Sequence, residues 1–204
     1  IENELKLIFS CADLKIPKVV SEIFMIQNKY ALLYEKSKGT SPKEISKDDI
    51  CSIGIFLKEF HSITKGKTST NPKLFLKDEL YKLIKKTNHQ SFIELFNKIN
   101  IELKNDGIIH GDLFPDNATF FDKKLSCVFD FIQSCNGDFL FDLAVIALSW
   151  CNTKEEIIYL LESYQTDTTY ECFLPYLKYA GLYYCVTRFL EKKDFSDLWN
   201  KITF

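Results

Sequence analysis

The sequence predicts an α+β chain, with a short helix and a β-hairpin at the front and a larger, mostly helical body behind. Three observations point there. Long stretches repeat apolar residues at helical spacing, the front carries two extended runs joined by a turn, and short extended pieces cluster near the middle. With 204 residues, 46% of them hydrophobic and 15% aromatic, the chain can bury one sizeable core, or one domain and part of a second.

The opening "IENELKLIFSCADL" sets Leu5, Ile8 and Phe9 at helical spacing, with Glu2, Glu4 and Lys6 on other faces. "KIPKVVSEIFMIQNKYALLYEK" then predicts a hairpin turning at Gln27-Asn28-Lys29. Its expected buried side chains are Val19, Val20, Ile23, Phe24, Ile26, Leu32, Leu33 and Tyr34. "KSKGTSPKEIS", with Gly39 and Pro42, reads as a hinge before a helix capped near Ser46. Helical patterns follow over 47–63, 74–87 and 89–105. The pattern then changes to extended pieces at Ile108-Ile109, Thr119–Phe121 and Leu125–Phe129. Turn chemistry at Pro115-Asp116-Asn117 and at Asp122–Lys124 joins them. After "NGDF", helices are expected over 141–151, 154–163, 169–192 (continuous, or restarting at Pro175) and 196–202. No period of a repeat array is evident.

Charge and cysteine usage exclude several classes of function. The net charge of −2 comes from 28 acidic and 26 basic residues, well mixed, so neither a nucleic acid nor a basic partner is expected. No apolar run approaches the ~20 residues that cross a bilayer, and the start has no signal-peptide pattern. The seven cysteines are scattered and never spaced C-x-x-C, which argues against a disulfide framework or a zinc knuckle and predicts a cytoplasmic location. The chain lacks an initiator Met, so a trimmed or partial chain is expected.

The chemistry is concentrated in "IIHGDLFPDNATFFDKKLSCVFDF", Ile108 to Phe131, where four Asp, a His and an Asn stand among aliphatic and aromatic residues. Carboxylates in such company are costly to desolvate unless paired, hydrogen-bonded or bound to a metal. Asp112 and Asn117 stand five positions apart in H-G-D-L-F-P-D-N, the spacing of a kinase catalytic loop, and Asp130 follows the run 125–129. Phosphoryl transfer from ATP needs Mg²⁺ on the phosphate oxygens and a carboxylate that orients the acceptor hydroxyl and takes its proton. A hard cation wants oxygen ligands, here an amide from Asn117 and a carboxylate from Asp130, leaving Asp112 for the acceptor. The bland alternatives are an N-cap or Asx-turn for Asp112 and simple turn geometry for Asp116 and Asn117. The whole ordered set favours the kinase reading. His110 is expected to hold loop backbone rather than act as a base, and a zinc site built on His110 and Asp112 lacks further ligands.

"HGDLFPDN…VFDF…DFLFDLAV" resembles the aminoglycoside phosphotransferase-like branch of the protein-kinase-like superfamily. The stretch "DFIQSCNGDFLFDLAVIALSWC", 130–151, most closely resembles the homoserine kinases of that branch. The likeness is strong over 107–151 and looser elsewhere, where it rests on "IPKVV", the hinge ending in Gly39, and "IGIFLKEFH". It implies a protein-kinase-like fold, with 1–42 a remnant of the small nucleotide-binding lobe and hinge, and 43–204 a helical catalytic lobe. It implies Asp112 as catalytic base, Asn117 and Asp130 as Mg²⁺ ligands, and Asp142 as a buried acid bracing the catalytic loop together with His110. An ordinary first-turn carboxylate on the helix dipole is the compatible alternative for Asp142. The hinge at Glu35, Lys36 and Ser37 would carry the adenine.

The family's Gly-rich loop and its phosphate-binding Lys do not appear in this sequence. The opening helix is similar to the one whose Glu pairs with that Lys; Glu2 fits best and Glu4 second, with exposed surface acid the alternative for both. Taken as a whole polypeptide, the chain is expected to bind ATP poorly. Arg188 is the lone Arg, and its planar fork suits a substrate carboxylate or an acid of the catalytic region; a plain salt bridge is the equal alternative. The implied activity is ATP- and Mg²⁺-dependent phosphorylation of the hydroxyl of L-homoserine, a step of threonine biosynthesis. The alternatives are a kinase of another small alcohol, of aminoglycoside or choline type, or a non-catalytic pseudokinase-like binding module. The oligomeric state is left open.

Overall fold

The computed structural model describes residues 2–72 and 74–203. It begins with α1 (Glu2–Ser10) and a hairpin of β1 (Phe24–Ile26) and β2 (Lys29–Ala31). The strands pair Phe24 with Ala31 and Met25 with Tyr30, and Gln27 and Asn28 both take positive φ, as a tight two-residue hairpin turn requires. The chain then crosses the hinge to α2 (Lys47–Thr64), α3 (Lys77–Thr87) and α4 (Gln90–Lys98). Strand β3 (Gly107–Ile109) leads into the loop of His110, Asp112 and Asn117, followed by the hairpin β4 (Ala118–Phe121) and β5 (Lys124–Val128) and by β6 (Cys135–Gly137). Helices α5 (Phe139–Trp150), α6 (Lys154–Tyr164), α7 (Tyr170–Leu190) and α8 (Ser196–Ile202) complete the order. No helix among the described residues is long and apolar enough to cross a membrane.

Helix α2 starts at a capping box in which Ser46 and Asp49 satisfy each other's free amides. It buries Ile50, Ile53, Phe56, Leu57 and Phe60 on one face, a stripe at helical spacing. Helix α5 is buried nearly all round and runs through the centre of one core that also takes in Leu7, Ile8 and Cys11 from the front of the chain. The described strands form three two-stranded antiparallel sheets: β1 with β2, β3 with β6, and β4 with β5.

Several expectations need correction. The fourth helical pattern was expected over 89–105, but α4 ends at Lys98. Beyond it Ile99 and Ile101 are buried while Asn100 and Glu102 are exposed, a two-residue period that the apolar count alone read as helix. The third pattern begins at Lys77 rather than 74, because Phe75 is buried from a loop. Strand β6 lies in "SCNGDF", where Asn and Gly masked it. In the front hairpin Val20, Ile26 and Leu33 are exposed, and on α1 Phe9 is exposed while Leu7 and Ile8 face the core. Helix α7 runs unbroken through Pro175.

Candidate active site

The hairpin β4–β5 brings the two proposed metal ligands together. Pairing Ala118 with Val128 sets Asn117 beside Phe129, whose N–H donates to the Asn117 carbonyl at 3.0 Å, one residue before Asp130. Asp130 holds a left-handed backbone, φ 66° and ψ 61°, a conformation that a non-glycine residue adopts at a cost. Asn117 Nδ2 donates to the backbone carbonyl of Asp112 at 2.7 Å, which leaves its amide oxygen free. Among the described residues Asp130 is exposed, and its carboxylate oxygens accept no hydrogen bond. Two oxygen donors on one hairpin, one amide and one carboxylate, suit a hard divalent cation.

Asp112 is half-buried between these ligands and the helical wall. Gln133 Nε2 donates to its Oδ2 at 2.9 Å, and the Tyr184 hydroxyl donates to the Gly111 carbonyl while standing within bonding reach of the Asp112 carboxylate. Burial, and then the neighbouring Asp130 carboxylate, push Asp112 up to about 6. A base poised near neutrality can orient a hydroxyl and take its proton.

The loop beneath is rigidly braced. Asp142 on α5 is fully buried; its Oδ2 accepts from the His110 N–H at 2.8 Å and its Oδ1 from the Gly111 N–H at 2.8 Å. His61 on α2 donates from Nε2 to Asp142 Oδ2 at 2.9 Å, with Nδ1 at 2.8 Å from the Tyr164 hydroxyl and its ring stacked 3.9 Å from Phe139. Burial alone would push Asp142 up, but the His61 hydrogen bond, the neighbouring His rings and the loop amide hold it below the usual carboxylate value. His110 has Nε2 on the Phe129 carbonyl at 3.1 Å and Nδ1 accepting from the Asp112 N–H at 3.3 Å. Burial pushes His110 down, so a neutral imidazole links both halves of the site. Gly111 has φ +81°, and a Cβ there would come within 2.6 Å of the Phe75 ring; only glycine fits.

Two cavities meet at Asp130. One, of about 420 Å³, is lined by Asp112, Asn117, Asp130, Gln133, Tyr183, Tyr184, Thr187 and Arg188, with the acids Asp116 and Glu191 and the cation Lys193 at its walls. The other, of about 380 Å³ and chiefly apolar, is lined by Pro17, Tyr34, Glu35, Ser37, Cys127, Phe129, Ile132 and Glu4 as well as Asp130. Both volumes suit small-molecule ligands.

The remaining expected residues fall unevenly around these cavities. Glu35 and Ser37 line the apolar cavity, while Lys36 lines only a smaller adjoining one that it shares with them. The Glu35 N–H is committed to the Lys18 carbonyl at 2.8 Å, so it is not free for a base, and the Ser37 hydroxyl bonds Thr119 at 3.0 Å. Glu2 is exposed and lines none of these cavities; Glu4 lines the apolar one, hydrogen-bonds the Tyr34 side chain and is pushed up by burial. The helix therefore offers Glu4 rather than Glu2, because Leu7 and Ile8 turn toward the core in place of the expected Leu5 and Phe9. Arg188 lines the acid-walled cavity, but its Nη1 bonds the exposed Asp197 at 2.9 Å. Sequence reasoning assigned no role to His61 or Gln133, and it read Tyr184, with Tyr176, Tyr179, Tyr183 and Phe189, mainly as core packing, with one or two of the tyrosines able to line the acceptor pocket. The available signal was His61 on the apolar face of α2, a polar group that needed a buried partner.

The sequence profile of the phosphotransferase enzyme family matches residues 2–176. A homoserine kinase of Azorhizobium caulinodans is 53% identical over 45 residues, a stretch covering 22% of this chain and only 14% of that relative. The choline kinase LicA of Streptococcus pneumoniae superposes with a TM-score of 0.70 at 19% identity, covering 98% of this chain and 77% of that one. A spectinomycin phosphotransferase solved with ADP and spectinomycin superposes with a TM-score of 0.64 at 15% identity, over 97% and 73% of the two chains. The fold shared with these structures is protein-kinase-like, as the sequence motifs imply.

Proposed function

The chain belongs to the phosphotransferase enzyme family, and from that membership we propose that it transfers the γ-phosphoryl group of ATP to the hydroxyl of L-homoserine, giving O-phosphohomoserine and ADP. One observation carries this reading. Asp130 lines both cavities, so a nucleotide in the apolar one and an alcohol in the other would meet beside Asp112 and Asn117.

In this reading residues 1–42 serve the nucleotide and 43–204 form the catalytic lobe. The apolar walls at Tyr34, Cys127, Phe129 and Ile132 suit a purine, with Glu35, Lys36 and Ser37 at its edge. The free amide oxygen of Asn117 and the carboxylate of Asp130 would hold Mg²⁺, which supplies neutralisation of phosphate charge. Asp112, with Oδ2 fixed by Gln133, would present its carboxylate to the acceptor hydroxyl. As the acceptor oxygen bonds the γ-phosphorus and the bond to the β-phosphate oxygen breaks, the hydroxyl proton passes to Asp112. No phosphoenzyme is invoked.

Homoserine is favoured over other alcohols by the matched homoserine kinase and by Arg188, whose fork has only Nη1 engaged among the described residues. Arg binds carboxylates in a two-pronged geometry that Lys lacks. Arg188→Lys is expected to raise the KM for homoserine about tenfold or more with kcat little changed; unchanged kinetics would remove its role. A second reading, a kinase of a cationic alcohol such as choline, draws on the acids Asp116 and Glu191 in the same cavity. A coupled ADP-release assay with homoserine, choline and an aminoglycoside separates the two. Homoserine should lead by at least about tenfold in kcat/KM, whereas preference for a cationic alcohol, or equal ADP release by Asp112→Asn, would reject the proposal.

A further inference from the structure

The loop after α2 returns to the catalytic region through side chain–backbone bonds. Ser69 N–H donates to Asn136 Oδ1 at 2.8 Å, and Asn136 Nδ2 donates back to the Lys67 carbonyl at 2.9 Å. Asn71 reaches further. Its Nδ2 donates to the Ser134 carbonyl at 2.7 Å, four residues past Asp130, while its Oδ1 accepts from Asn3 Nδ2 at 2.7 Å. A carbonyl can only accept, so the Ser134 contact fixes which way round this amide sits. One side chain thus ties α1, the helix of Glu4, to the segment of Asp130.

Leu7 and Ile8 seat α1 on the core, but side-chain hydrogen bonds across that gap are few. A cavity of about 460 Å³ lies between α1 and this loop, and both Asn3 and Asn71 line it. Among the described residues no other side-chain hydrogen bond joins α1 to the catalytic lobe. The residue after Asn3, Glu4, ties α1 to Tyr34, just before the hinge. The helix is therefore seated on the core by Leu7 and Ile8, and Asn71 supplies its side-chain hydrogen bond to the segment of Asp130.

We propose that Asn71 is a positioning residue which, by gripping Asn3, sets the separation of Glu4 and Asp130 and so shapes the cavity onto which both open. The consequence for nucleotide affinity rests on that cavity being the nucleotide site; the grip on α1 does not. Asn71 touches neither reacting group, and Asn3→Ala breaks the grip from the α1 side without altering the catalytic lobe.

The test is calorimetric titration of ADP with Mg²⁺ into wild type, Asn3→Ala, Asn71→Ala and the double variant, with hydrogen exchange read at the α1 amides. Each single variant should weaken ADP roughly three- to tenfold, the worth of one or two neutral hydrogen bonds. The double variant should bind no worse than Asn71→Ala, and α1 should exchange faster in all three. Unchanged affinity and exchange in Asn3→Ala, or losses that simply add, would overturn the proposal, since a merely structural Asn71 would not be mimicked from α1. If wild type binds no ADP, the nucleotide reading fails, and the α1 exchange of Asn3→Ala alone still decides for or against the grip.

Discussion

Asp112 sits among more negative charge than it can comfortably share. Burial and the Asp130 carboxylate raise it to about 6 from its ordinary 3.8, so ionising it works against the fold. The stability tied to its protonated form is fully present below about 3.8 and is lost as pH rises through about 6. Asp112→Asn is neutral at every pH, so it should be more stable than wild type at pH 8. After discounting for solvent exposure the gain is about 1–2 kcal/mol, or a few degrees in Tm, and it should vanish near pH 4. Turnover should fall at least about 100-fold. Thermal melts at the two pH values, with an activity assay, check this trade of stability for catalysis; a pH-independent difference would contradict it. At this scale Asp112, Asn117 and Asp130 were legible because their spacing is local, within one loop and one hairpin. Gln133 and Tyr184 were not, because what aims them at Asp112 is the packing of α7 and the turn after Asp130, neither of which is a spacing rule. The choice between Glu2 and Glu4 turned on a helix phase that a nine-residue segment fixes poorly.

Helix α5 is the element on which the site depends. Asp138 caps it, with Oδ1 accepting from Leu140 N–H at 2.7 Å and Oδ2 from Lys104 N–H at 2.8 Å. One turn later Asp142 receives His61, His110 and Gly111, and at the far end Trp150 Nε1 donates to the Leu113 carbonyl at 2.9 Å. The catalytic loop thus hangs from both ends of one buried helix. Asp142→Ala leaves three buried donors without an acceptor and should cost about 3–5 kcal/mol, measured by urea unfolding. Asp142→Asn, which keeps an acceptor, should cost less; a loss below about 1 kcal/mol for the alanine variant would show that the bracing is not energetic. Helix α5 was legible from its apolar run, although it starts at Phe139, two residues before the expected 141, where Asp138 caps it. The missed β6 is a short strand made by its pairing with β3 rather than by its own propensity, whereas the overrun of α4 covers an irregular stretch whose alternating burial the apolar count read as helix.

At the scale of the whole molecule, the arrangement is two cavities that share one carboxylate, with the hinge residues Glu35 and Ser37 lining the apolar one. Gly39 lets the hinge lie against β4, where Thr40 and Phe120 exchange bonds at 3.2 and 2.9 Å; a Cβ at Gly39 would fall 1.9 Å from the Phe120 carbonyl oxygen. The hinge was readable from Gly39 and Pro42, and the α+β layout from periodicity. The cavities were not, since each draws on segments more than fifty residues apart. The central claim is that Asn117 and Asp130 share a divalent cation beside Asp112. Electron paramagnetic resonance of Mn²⁺, a spectroscopic stand-in for Mg²⁺, titrated with ADP into wild type and variants, tests it most directly. Asn117→Ala and Asp130→Ala should each weaken protein-bound Mn²⁺ by about tenfold or more, while Asp112→Asn retains it. Undiminished Mn²⁺ binding in both alanine variants would contradict the account.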